Sequence, residues 1–118
     1  MDERVQKAFD SANYMATLVS QKNILKEELA QNLLHYENGG TFTASKELIN
    51  FVKTLLDVGY LENVVVVDDN ATPINIENLK SFFDKVISVY FEAVNEYYNK
   101  HNALIKQRKI ESLVDLYE

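Results

Sequence analysis

A chain of 118 residues can build one hydrophobic core but not two, so a single domain is expected, and its 47% hydrophobic and 25% charged residues match soluble globular usage rather than disorder. Eighteen acidic against twelve basic residues give a net charge of −6, which repels phosphate backbones and sets direct nucleic-acid binding aside. The absence of cysteine excludes disulfides, thiolate metal sites and cysteine nucleophiles, and fits a reducing, cytoplasmic compartment.

The first predicted element covers residues 3–37. Its apolar positions Val5, Phe9, Ala12, Met15, Val19, Leu25, Leu29, Leu33 and Tyr36 mostly step by three or four, with a gap at Gln21 and Lys22, the pattern of an amphipathic helix. Asp2 is the expected N-cap and Asn38-Gly39-Gly40 the expected stop. Such a helix would be roughly 50 Å long, long enough that a break around residues 20–23 stays open. The opening Asp2-Glu3-Arg4 does not read as a signal peptide.

After a Thr41-Phe42-Thr43 connection, a second helix is expected over residues 44–58, capped by Thr43 and closed at Gly59 in a left-handed conformation, with Tyr60 folding back on Leu55 or Leu56. Leu48, Phe51, Val52, Leu55 and Leu56 supply its apolar face. Val64 to Val67 is a run of four β-branched residues, followed by Asp68-Asp69-Asn70-Ala71 and Thr72-Pro73-Ile74. These read as a hairpin over residues 63–74, with Pro73 confining the return strand to an edge. Two strands alone are marginal in water, so the hairpin must lie on helices or pair with another copy. This run is also the longest apolar stretch, far short of the roughly 20 residues that cross a bilayer, so no membrane contact is expected.

The last helix is expected over residues 76–116, with Asn75 as N-cap and Ile74 packing on Leu79. Phe83, Val86, Tyr90, Val94, Tyr97, His101 and Leu104 share one broad face, and Ile76, Phe83, Tyr90, Tyr97 and Leu104 hint at a coiled-coil seam that loosens beyond Lys100. The fold class is therefore mainly α: a long antiparallel helical hairpin, or a bundle of three helices, with one small β-hairpin between the second and third. A long, thin monomer has a poor ratio of core to surface, so an oligomer is expected, most simply a symmetric dimer.

Chemistry-bearing constellations are sparse. Glu92 and Glu96 lie four apart, but neither His35 nor His101 completes the Glu-x-x-His step that a di-iron bundle needs. Asp68-Asp69-Asn70 lacks the glycine turn and distant glutamate of a calcium loop and reads as a hairpin turn. The serines show no nucleophile elbow, and Gly39-Gly40 does not open a helix after a strand as a phosphate loop would. No enzyme activity, cofactor or metal is expected. Lys100, Lys106, Arg108 and Lys109 instead make the distal last helix basic on an acidic protein, a surface for an acidic partner or another copy.

Beyond it the apolar pattern resumes in Glu111-Ser112-Leu113-Val114-Asp115-Leu116-Tyr117-Glu118. This ending resembles the C-terminal peptides by which replication and late-transcription proteins of large contractile-tailed phages hold their sliding clamp. The resemblance implies that Leu113, Leu116 and Tyr117 are apolar anchors and Asp115 the polar specifier. The whole chain, through residues 1–34, Tyr36-Glu37-Asn38-Gly39-Gly40-Thr41-Phe42 and Lys106-Gln107-Arg108-Lys109-Ile110-Glu111, resembles a small protein of marine relatives of those phages. That implies a setting, an infected marine bacterium, and not a mechanism. Two functions are expected from these features: a helical assembly protein acting through protein contacts, or an accessory factor tethered to a clamp by its tail.

Overall fold

The computed structural model describes the backbone of residues 2–117 and the side chains of residues 2–110. Three helices, α1 (Glu3–Asn32), α2 (Lys46–Val58) and α3 (Leu79–Tyr117), hold 69% of the residues, and four short strands lie between them: β1 (Leu34–Glu37), β2 (Gly40–Thr43), β3 (Glu62–Val67) and β4 (Pro73–Asn78). The chain is mainly α, with two antiparallel hairpins instead of one: β1–β2 between the first two helices and β3–β4 between the last two.

The extra hairpin corrects the expected end of α1. Asn38 and Gly39 both take positive φ, 50° and 81°, and link strands paired from Leu34↔Thr43 to Glu37↔Gly40. A two-residue Asn-Gly loop with both angles positive is the turn whose twist matches a hairpin. The glycines that read as a helix stop therefore reverse a strand, and Thr41-Phe42-Thr43 is that strand, not a connection. Gly40 is fixed by space: a Cβ there would stand 2.6 Å from Ile74 Cγ1. The break left open at residues 20–23 does not occur, since the helix runs unbroken to Asn32.

Helix α2 starts two residues later than expected, because Ser45, not Thr43, is its cap: its hydroxyl accepts the Leu48 N–H at 3.1 Å. Gly59 ends it in the left-handed region at φ 108°, as its position predicted. The Tyr60 N–H bonds back to the Leu55 carbonyl, while the Tyr60 ring stays exposed. The second hairpin is longer than residues 63–74 and takes Asn75 and Ile76 into β4, so the cap of α3 falls to Asn78, whose Oδ1 accepts the Ser81 N–H at 2.9 Å.

Two compact units divide the chain: Leu29–Asn95, and Met1–Glu28 together with Glu96–Glu118. The first is a layered core. Alternate residues of β3 and β4 turn inward, Val66 opposite Ile74 and Val64 opposite Ile76, and join Phe42, Ala44, Val52, Leu79, Phe82 and Val86. Phe42 and Phe82 meet edge to face at 5.0 Å. Burying each of these large side chains is worth about 1.5–3 kcal/mol, which is how two hairpins that are marginal alone are held.

The second unit is a helix pair in which no described residue is fully buried. On α1, Tyr14, Leu18, Gln21, Leu25 and Glu28 are half-buried, stepping by four, three, four and three. Lys100 Nζ donates to Glu28 at 2.9 Å, Arg108 Nε to Gln21 at 2.8 Å, and the Tyr14 hydroxyl to the Arg108 carbonyl at 3.3 Å. Residue numbers fall along α1 as they rise along α3, so within this unit the two helices run in opposite senses. No helix among the described residues is long and apolar enough to cross a membrane.

Candidate functional site

In Leu29–Asn95 the richest polar cluster lies where β1 meets α3. His35 and Glu37 share one face of β1 because strand side chains alternate. Glu37 Oε1 takes the His35 ring Nε2 at 3.3 Å and Lys85 Nζ at 3.2 Å, and the His35 ring leans on Phe82 at 5.8 Å. Beside them runs an open groove of about 630 Å³, lined also by Asn78, Lys80, Ser81, Asp84 and Ser88. Its charges cancel in pairs, Lys80 with Asp84 at 2.9 Å and Lys85 with Glu37. A neutral, open groove has no sign preference for a ligand, and the cluster's evident action is to brace the first hairpin to α3.

Asp68 is the second polar centre, and it is buried. Its carboxylate accepts backbone N–H groups of Thr41 at 3.0 Å, Thr72 at 2.8 Å and Asn70 at 2.9 Å, which together hold its pKa below the ordinary 3.8 against the opposing effect of burial. Asp69 continues the stitch, accepting the Thr43 hydroxyl at 2.7 Å and donating its N–H to the Thr41 carbonyl. The Asp68-Asp69-Asn70 turn thus fastens the second hairpin to the first, with its oxygens turned to the protein's own donors. Glu96 is taken by Lys100 at 2.8 Å and Glu92 is exposed; among the described residues no three metal-ligating side chains converge.

The basic stretch of α3 is less of a unit than its spacing implied. Lys100 bonds to both Glu28 and Glu96, which raises its pKa, Glu96 contributing more. Arg108 is half-buried against α1, its guanidinium 5.2 Å over the Tyr14 ring in addition to its bond to Gln21. Lys106 and Lys109 remain at the exposed surface. Two of these cations thus hold the helix pair together and two face outward. Leu113, Asp115, Leu116 and Tyr117, the residues implied by the clamp-peptide resemblance, lie outside the described side chains.

The feature that periodicity concealed is on α1. Val5, Phe9 and Val19 are 51%, 60% and 53% exposed, and with Ala12 and Ala16, also exposed, they step by four, three, four and three. At 3.6 residues per turn this stripe stands about 180° from the one that carries Tyr14, Leu18, Gln21, Leu25 and Glu28. The helix therefore has two apolar seams, the outer in its first twenty residues and the inner from Tyr14 onward. The gap at Gln21 and Lys22 marks where the outer seam ends, and counting the two phases separately would have revealed it.

No protein-family model matches the sequence, and neither a curated protein nor a solved structure matches it.

Proposed function

We propose that the chain is a non-enzymatic assembly protein that works through protein contacts made by its helix pair, foremost with a second copy of itself, as a dimer. One observation supports this reading: the outer seam of α1, with Phe9 60% exposed, is patterned like a packing face yet nothing among the described residues covers it. The unit that bears it has no fully buried described residue, so a partner would supply the burial that this pair lacks. The polar clusters support the same view, because His35, Glu37 and Asp68 are engaged in joining strands to helix and hairpin to hairpin. The long antiparallel helical hairpin is the frame we assign to this role. A phage setting, in the cytoplasm of an infected bacterium, enters on the sequence resemblance.

Light scattering after size exclusion tests the proposal. The expected mass is twice the 13.6 kDa of one chain, returning to one chain in the Phe9→Glu variant. A strictly monomeric protein that also captures no partner would overturn it. The tail-borne clamp contact is a separate proposal, resting on the ending Leu113-Val114-Asp115-Leu116-Tyr117-Glu118. Removing those six residues should abolish clamp binding while leaving the dimer intact, and retained binding would end that reading.

A further inference from the structure

The outer seam of α1 specifies how two copies meet. Over residues 5–20 the only charged residues are Lys7 and Asp10, and both fall on the side of the helix that carries Tyr14 and Leu18. The seam itself, Val5, Phe9, Ala12, Ala16 and Val19, is uncharged, and so are the positions flanking it, Gln6, Ala8, Asn13, Met15 and Ser20. A two-fold contact brings one surface against its own copy, so any charge near the axis faces its like. A ribbon without charge can face itself freely. The neighbouring helix does not share this property: the side of α3 away from Tyr97, Leu104 and Arg108 carries Asn99, Asn102, Lys106 and Lys109.

Side-chain volume then selects direction and register. Val5 and Phe9 are large and come first; Ala12 and Ala16 are small and follow. In a parallel pair, like would stack on like, leaving Phe9 on Phe9 and gaps at both alanines. Over residues 5–16, reversing one copy sets large against small in every layer, the arrangement that fills space at an interface, and leaves Val19 beyond the last layer. From this we infer that the chain forms a two-fold dimer through an antiparallel α1–α1 contact in which Phe9 packs on Ala12 of the second copy and Val5 on its Ala16. The two-fold axis passes between residues 10 and 11. The four layers span only about 17 Å of helix, so the dimer dissociates on dilution.

The inference deepens the assembly reading, and its tests separate the two. The chain has no cysteine, so single cysteines report the geometry directly. Val5→Cys and Ala16→Cys proteins, both altered at exposed positions, are mixed under mild oxidation and the products resolved by mass. The expected product is the mixed disulfide, in clear excess over either self-linked species. Self-linking of Val5→Cys alone would signify a parallel pair, and preferential linking of Phe9→Cys to Val19→Cys would signify another register; either overturns the inference while leaving assembly intact. Independently, Phe9→Ala and Ala12→Phe should each weaken dimerisation about tenfold, by a lost knob and by a clash respectively. The double variant exchanges large and small across the same layer and should restore it. Failure of that rescue, with each variant folded by circular dichroism, would also overturn the inference.

Discussion

In Leu29–Asn95, Phe82, Ile76, Leu79, Phe42 and Val52 are at most 1% exposed, whereas in the helix pair of Met1–Glu28 and Glu96–Glu118 no described side chain is fully buried. Both regions contain well-patterned apolar residues. They differ in the number of faces available to receive them: hairpins and helices enclose the first core from several directions, while two helices can cover only one side of each other. Apolar patterning thus produces a core in one unit and an unfilled seam in the other. The difference separates the part that holds the enclosed core from the part to which we assign the partner contact.

The largest expected effect strikes the enclosed unit. Phe82→Ala, which removes the ring that both Phe42 and His35 lean on, should cost about 3–5 kcal/mol in urea unfolding. Leu25→Ala in the half-buried pair should cost about 1 kcal/mol; equal losses at the two sites would break the comparison. Gly40→Ala should follow at about 1–3 kcal/mol, since its methyl would press on Ile74 and push the two hairpins apart.

Asp68→Asn sharpens the same contrast through pH. The folded pKa of Asp68 lies below its unfolded 3.8, so its contribution is whole above that pH and is lost as pH falls through the lower, folded value. Asparagine cannot accept with both side-chain atoms, and its amide would face an N–H donor. The variant should be the less stable protein near neutrality, with the difference shrinking in acid; a constant difference between pH 7 and pH 2 would contradict the assignment. The smallest effect is a gain. Ala71 sits at φ 60°, a conformation costly to alanine, so Ala71→Gly should stabilise by about 1 kcal/mol or less.

Helix-scale features were legible in the sequence because they repeat: the N-terminal start of α1, the Gly59 closure, the β-branched run of β3 and the long α3 each announce themselves over several residues. The first hairpin was not, since Leu33 and Tyr36 fall in phase with the preceding helix and Asn38-Gly39 serves equally as a helix stop and as a two-residue turn. Tertiary contact decided between them, through Phe42 on Phe82 and the close approach of Gly40 to Ile74. The brace at Glu37 joins residues 48 apart in sequence and the Asp68 stitch residues 27 apart, which no local pattern encodes. The basic stretch of α3 was visible as composition, but its division into inward Lys100 and Arg108 and outward Lys106 and Lys109 depends on which residues of α1 stand opposite.

Hydrogen exchange followed at several protein concentrations tests most directly the claim that one unit is self-sufficient and the other completed by a second copy. Amides of residues 5–19 should gain protection as concentration rises, while those of β3, β4 and the first turns of α3 keep the same protection throughout. Protection in residues 5–19 that does not change with concentration, in a protein whose core amides behave normally, would contradict the account.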